Sequence, residues 1–231
     1  MKKVMFTEEQ MKDFENKILN MDCLDFLKKC PDNYFSLVLT DPPYGIGYDV
    51  ACEKNNGKLF GTAKAIRNTY KQTNWDNKTP DKEVFEQIIR VSRNQIIFGG
   101  NYFANMLSNS KCWLVWDKHI NGDWADCELA WTSFDKPVRK YDFTWNGMIQ
   151  QDMKNKEIRI HPTQKPVGLF CKILNDYSNE NDLVLDCFSG SGTTAIACYN
   201  LNRNFICIEK DPEYAKVSIE RLENKKKTVA F

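Results

Sequence analysis

A carboxylate, two prolines and a phenol follow one another at Asp41-Pro42-Pro43-Tyr44, directly after the apolar run Phe35-Ser36-Leu37-Val38-Leu39-Thr40. The run reads as a buried strand. Proline has no N–H for a ladder, so the pair ends that strand abruptly. Asp41, the carbonyl of Pro42 and the Tyr44 ring therefore gather at the carboxyl end of a strand, where open α/β sheets bind their ligands. Acceptors beside a stacking ring suit a flat base that carries an exocyclic amine. An ordinary Asp-Pro turn has the same local sequence, so the tetrapeptide gains meaning only beside a second motif.

That motif lies far along the chain. Asp186-Cys187-Phe188-Ser189-Gly190-Ser191-Gly192-Thr193-Thr194 reads as a strand end, a glycine turn and a helix start. Gly190 and Gly192 let the backbone pass close to a ligand, and a helix N-terminus offers unpaired N–H groups to a carboxylate or a phosphate. The next strand, 204–209, ends in Glu209, and an acid there suits the two hydroxyls of a ribose. The spacing is G-x-G, lacking the third glycine of a dinucleotide fingerprint and the G-K-[ST] of a P-loop. A ligand joining an amino-acid carboxylate to a ribose fits, namely S-adenosylmethionine; a plain helix-capping turn is the alternative. Asp22, at the end of an early strand, would then lie beside the ribose strand and meet the adenine amine.

In motif order and content the chain resembles the amino-group DNA methyltransferases (N6-adenine/N4-cytosine), in the permuted β group whose D-P-P-Y element precedes the S-adenosylmethionine motif. The resemblance runs from Lys17 to Leu222. Asn20-Met21-Asp22-Cys23-Leu24 resembles the family's adenine-contact segment, which makes Asp22 and Cys23 cofactor-side residues. Asp41-Pro42-Pro43-Tyr44 resembles its catalytic motif, and His161-Pro162-Thr163-Gln164-Lys165-Pro166 the segment before its cofactor-side helix. The glycine motif resembles its S-adenosylmethionine loop, with Asp186, Phe188, Gly190, Gly192 and Thr193 at the cofactor. The implied fold is α/β: a Rossmann-like class I methyltransferase with a mixed sheet, helices on both faces and circularly permuted motif order. Strand 183–186 would then lie beside strand 35–40, so that the two motifs meet at the switch point.

The implied reaction is methyl transfer to the exocyclic N6 of an adenine flipped out of duplex DNA. Asp41 and the Pro42 carbonyl would bind the amine hydrogens in a pyramidal geometry, and Tyr44 would stack on the base. Asp41 stands where many cytosine-N4 enzymes carry Ser, which favours adenine and leaves cytosine N4 open. A relative that binds DNA without catalysis is disfavoured by the intact Asp41, Tyr44, Gly190 and Gly192. Lys165 either contacts the cofactor carboxylate or simply starts the helix, and Phe188 either packs along the cofactor or belongs to the core. His161 is expected to make a structural hydrogen bond. Target recognition in the family lies in a segment that is short here, 133–160. Lys136, Arg139 and Lys140 in that segment, with Arg67 in a mobile basic loop at 45–82, are the candidate contacts to double-stranded DNA. A homodimer and a separate restriction endonuclease are further expected partners.

The elements that must position these residues can be read from periodicity. Strands are expected at 17–21, 35–40, 94–98, 112–116, 183–186 and 204–209, with a strand or a bent segment at 126–132, a hairpin arm over 136–146 and loop over 146–160. Helices are expected at 8–16, 24–30, 80–91, 102–107, 165–177 and 191–200, and from Asp211 to Leu222, followed by a frayed lysine tail. At 231 residues, 42% hydrophobic and 27% charged, the chain suits a single catalytic domain. A net charge of +1 neither demands nor excludes nucleic acid. Nine cysteines without a C-x-x-C pair, beside only two histidines, argue against a metal site. Reduced thiols and the lack of a long apolar run lead us to expect a cytoplasmic protein with no membrane partner, and the resemblance implies one that is bacterial or phage-encoded.

Overall fold

The computed structural model describes residues 5–48, 75–119, 125–146 and 149–229. An eight-stranded sheet organises them. Its strands in chain order are β1 (Lys17–Asn20), β2 (Phe35–Thr40), β3 (Ser92–Phe98), β4 (Trp113–Asp117), β5 (Cys127–Thr132) and β6 (Arg139–Asp142), then, after a separate small hairpin, β9 (Leu183–Asp186) and β10 (Asn204–Glu209). Across the sheet they lie in the order β1-β10-β9-β2-β3-β5-β4-β6. Only β5 runs against the rest. The small hairpin pairs β7 (Trp145–Asn146) with β8 (Ile149–Gln150).

Helices cover both faces. The helices α1 (Glu8–Phe14), α2 (Cys23–Leu27) and α3 (Lys82–Val91) bring Met11, Phe26, Val84, Phe85 and Ile88 onto one face. The helices α4 (Val167–Tyr177) and α5 (Thr193–Asn200) bring Leu169, Phe170, Ile173, Ala195 and Ile196 onto the other. The last helix, α6 (Pro212–Val229), adds Leu222 to that second layer. Strands covered on both faces must be apolar throughout, which is why Leu-Val-Leu in β9 and Leu-Val-Leu in β2 do not alternate.

The expected neighbourhood of 183–186 and 35–40 is present: Leu37 pairs with Val184 and Val38 with Leu185. From this junction β9 leads through α5 to β10 on one side, while β2 is followed by β3 on the other. That divergence opens a crevice at the carboxyl ends, where ligands bind in such sheets.

Four local expectations need correction. Residues 102–107 form no α-helix; a single 3-10 turn at Gly100–Tyr102 replaces it, entered through left-handed Gly99 (φ 69°). The arm at 136–146 is divided: Arg139–Asp142 joins β4 in parallel and becomes the sheet edge, and only Trp145–Asn146 enters a hairpin. Alternation fixes that a segment is a strand but not which strand it meets. The loop read over 146–160 contains β8, and Glu157 within it accepts from the Val167 amide (2.8 Å) and from Arg221 Nη2 (2.8 Å), tying it to α4 and α6. Finally α6 carries on through the lysine tail to Val229, helped by a Lys226–Glu223 pair (2.8 Å) and by basic residues at the negative end of the helix dipole.

Candidate active site

Where β2 ends, Asp41 is held by two donors. Tyr44 Oη donates to Oδ1 (2.6 Å), and the Lys165 ammonium sits on Oδ2. Lys165 arrives from the segment before α4 and is buried, with Glu128 Oε2 of β5 at 3.2 Å. Glu128 Oε1 in turn accepts from Lys118 Nζ at 3.2 Å. Carboxylates and ammoniums thus alternate along one row, Asp41, Lys165, Glu128, Lys118, with Lys165 buried and the other three half-buried. Burial works against the Lys165 charge, but its two carboxylates outweigh burial and keep its pKa above the ordinary value. Burial raises Glu128, yet Lys165 and Lys118 pull it below the usual range. Asp41 stays raised, because burial and the Glu128 charge exceed the help from Lys165. Burial and the Asp41 charge push the Tyr44 phenol well above its usual range, so it remains a donor.

The Tyr44 ring is placed from two sides. Tyr102 stacks on it, with centroids 4.7 Å apart and planes inclined by 15°. Gly99 lies against its edge so closely that a Cβ there would stand 2.1 Å from Tyr44 Cε1. Tyr102 is partly exposed, so the pair forms an aromatic ledge at the crevice.

At the neighbouring strand end the glycine loop is bound to the acid of β10. Gly190 (φ 50°) donates its N–H to Glu209 Oε2 (2.7 Å), and the Asp211 N–H donates to Oε1 (2.8 Å). Each carboxylate oxygen keeps a second lone pair for a ligand hydroxyl. Burial raises Glu209 to about 6. Gly192 (φ 76°) caps α5, whose first N–H groups have no partner within the helix. An acid that accepts, with a tight glycine turn and a helix N-terminus that donate, is the set of groups that a ribose and a carboxylate need. Asp186 takes the Thr40 hydroxyl (2.7 Å), the Thr194 hydroxyl and the Phe188 N–H (3.0 Å), and burial lifts it to about 6. Its oxygens tie β2, β9 and α5 together instead of pointing free into the crevice.

The other expected residues divide. Phe188 is half-buried and packs on the core layer. Thr193 Oγ1 donates to the Lys165 carbonyl (2.9 Å), which joins the cofactor loop to the Asp41 row. Asp22 caps α2 through the Leu24 N–H (2.9 Å) and pairs with Lys210 (2.9 Å) one residue beyond Glu209; Cys23 beside it is half-buried, and burial raises its thiol to about 12. Of the two readings for Lys165, neither describes its ammonium, which meets Asp41 and Glu128. Lys136 donates to the Asp176 carbonyl (3.3 Å) and covers the Tyr177 ring, at the far end of α4 from Lys165. Arg139 is level with Leu114 at the amino end of β4. Neither is brought beside Asp41. Lys140 is engaged by Asp117 (2.9 Å) and Asp142 (2.8 Å). Arg67 lies outside the described residues, as does most of the basic loop expected at 45–82.

Glu128, Gly99, Tyr102 and Thr40 are the site residues that pattern reading missed. A lone acid in Cys127-Glu128-Leu129-Ala130-Trp131 and a Gly-Gly pair ending β3 were the available signals. His161 keeps its expected structural part: Thr163 N–H donates to its Nδ1 (3.3 Å), which puts the proton on Nε2. Burial, with the Lys165 charge second, lowers its pKa to about 3. The ring is therefore expected to stay neutral from pH 8 to 5 in a ring-nitrogen NMR titration; an imidazolium forming near 6.5 would contradict the packing. Because the unfolded ring takes the proton first, this group's contribution to stability is complete above about 6.5 and is lost as pH falls towards 3.

Similarity to known proteins bears on the family and the fold. The profile of the DNA methylase family of N6 and N4 methyltransferases matches residues 53–220. Type II methyltransferase M.HinfI of Haemophilus influenzae is 26% identical over 263 residues, covering 93% of this chain and 70% of that protein. The M1.HpyAVI–SAM complex has a TM-score of 0.54 at 24% identity, covering 89% of this chain and 98% of that one. PvuII DNA methyltransferase, a cytosine-N4-specific enzyme, has a TM-score of 0.57 at 15% identity, covering 92% of this chain and 91% of that one. At these identities the two structures speak for the fold.

Proposed function

The chain belongs to the DNA methylase family, and on that premise we propose that it methylates the exocyclic N6 of an adenine flipped out of duplex DNA, with S-adenosylmethionine as donor. The observation that carries this is the meeting of the Asp41 tetrapeptide and the glycine loop on adjacent strands, linked through Thr40 and Asp186. Bound S-adenosylmethionine supplies an electrophilic methyl group on its sulfonium.

The adenine amine is conjugated with its ring and is a weak nucleophile. Asp41 and the Pro42 carbonyl accept its hydrogens and draw the nitrogen lone pair out of conjugation, which is electrostatic preorganisation without a covalent intermediate. Tyr44, held by Tyr102 and Gly99, stacks on the base. Glu209 takes the ribose hydroxyls, Gly190, Gly192 and Thr193 receive the amino-acid end, and Asp22, Cys23 and Phe188 line the adenine side. Asp186 serves as the buried brace between the two halves of the site. Residues 133–160 are the target-recognition segment, with Lys140 and Arg67 as phosphate contacts; Lys136 and Arg139 would meet DNA only if it wraps around the β6 edge. The relatives' description as Type II methyltransferases supports double-stranded DNA as partner and a separate restriction endonuclease beside it. A homodimer extends the small recognition surface. Among the described residues no helix is long and apolar enough to cross a membrane.

Cytosine N4 is the second reading, since the PvuII enzyme has this fold. Purified protein incubated with unmethylated DNA and labelled S-adenosylmethionine, followed by digestion to nucleosides and mass identification, separates them. N6-methyladenine is expected. N4-methylcytosine would keep the fold and overturn the base.

A further inference from the structure

Each oxygen of Asp41 already holds a donor, and one of the two is a cation that a target amine would have to pass. Oδ1 takes the Tyr44 hydroxyl and Oδ2 the Lys165 ammonium. Lys165 Nζ also lies 5.6 Å from the centroid of the Tyr44 ring, so the cation stands between the acceptor and the surface on which a base would stack. Its backbone is fixed by Thr193, whose hydroxyl donates to the Lys165 carbonyl at 2.9 Å, so any adjustment falls to the side chain.

We propose that Lys165 is a displaceable plug in the base pocket, and that Glu128 is the positioning residue that takes its charge when a target base arrives. The inference rests on the methyl-transfer reading above. Its foundation is a shared cation. Lys165 Nζ sits on Asp41 Oδ2 and at the same time lies 3.2 Å from Glu128 Oε2, the longer of its two carboxylate contacts. Oε1 is already satisfied by Lys118. A small rotation of the Lys165 side chain away from Asp41 shortens the contact to Oε2.

The exchange leaves no bare charge. A buried ammonium stripped of its only carboxylate is strongly disfavoured. With Glu128 in place, Lys165 gives up one carboxylate and keeps the other. Asp41 meanwhile trades the ammonium for an N–H of the amine. Without the Glu128 charge, Lys165 has Asp41 alone and holds it more tightly against the incoming base.

Glu128→Gln keeps the shape and removes the charge. With unmethylated genomic DNA fragments as substrate, KM for DNA is expected to rise by about 10-fold or more, with S-adenosylmethionine affinity by calorimetry within about 2-fold. In a Lys165→Met background the same substitution is expected to change KM for DNA by less than about 2-fold, since the residue acts through Lys165. Glu128→Asp retains the charge and is expected to stay within about 3-fold of the wild type. Equal effects of Glu128→Gln in both backgrounds, a parallel loss of cofactor affinity, or Glu128→Asp as impaired as Glu128→Gln would overturn the proposal. Wild-type protein that methylates no DNA would instead sink the methyl-transfer reading on which the proposal stands.

Discussion

Replacing Asp41 by alanine is expected to lower kcat by at least about 10³-fold while S-adenosylmethionine still binds. The carboxylate is the anionic acceptor at the end of β2, and on the proposed reading its loss leaves only the neutral Pro42 carbonyl to draw the amine out of conjugation. A single preorganised acceptor is commonly worth about 10² to 10³ in rate, and Asp41 also orients the Tyr44 hydroxyl (2.6 Å), so its loss removes two aids together. The fold should survive, because Lys165 retains Glu128 at 3.2 Å and is not left as a lone buried cation. The cofactor loop has its own anchor in Glu209, which accepts from Gly190. Single-turnover methylation and cofactor calorimetry on Asp41→Ala and Asp41→Asn check this directly. Near-normal turnover in either variant would remove Asp41 from the chemistry.

Gly99→Ala is expected to be nearly as damaging from a position that touches no substrate. Gly99 sits at φ 69° and ψ 19°, a left-handed conformation that costs a residue bearing a Cβ about 1–2 kcal/mol. The larger consequence is steric. The added methyl would stand 2.1 Å from Tyr44 Cε1, 2.6 Å from Cδ1 and 2.7 Å from Cζ. The ring must move, which disturbs its stacking on Tyr102 and its bond to Asp41. A displacement near 1 Å in a positioning group can cost about 10²-fold, so kcat/KM for DNA should fall by about that factor or more. Cofactor affinity should change little, and the melting temperature only by the amount the backbone strain implies. Steady-state kinetics beside calorimetry separate these effects; a variant with normal kcat/KM would mean that Tyr44 is not held through Gly99.

The strands and their ligand ends were largely legible in the chain, since short apolar runs ending in Asp41, Asp186 and Glu209 announce buried parallel strands that stop at polar groups. The adjacency of β2 and β9 followed from motif order. What alternation could not supply was partnership. Arg139–Asp142 has a strand's pattern whether it folds back in a hairpin or joins β4 in parallel, and the bonds that decide, such as Trp116 Nε1 to the Phe143 carbonyl (2.8 Å), span distant residues. Residues 102–107 contain apolar side chains at helical spacing, yet the left-handed glycine before them turns the chain into one short 3-10 turn. In the site, Asp41 and Glu209 were visible because a strand end gives an acid a context. Glu128 was not, because its meaning comes from Lys165, which lies 37 positions later in the numbering and reaches it only through the fold. Lys165 was left between a cofactor contact and a helix start for the same reason: sequence places its backbone but not the end of a long side chain.

One carboxylate gives the crevice a property that neither motif has alone. Asp186 receives hydroxyls from Thr40 and Thr194, and the Cys187 N–H reaches back to Thr40 Oγ1 (3.2 Å). Three segments separated by as many as 154 positions are thereby stitched at a single buried knot. Local openings normally let one part of a protein breathe while another stays closed. On the proposed reading this couples the strand that presents Asp41 to the loop that would hold the methyl donor, and the two are expected to open as one cooperative unit, keeping acceptor and donor aligned or losing them together.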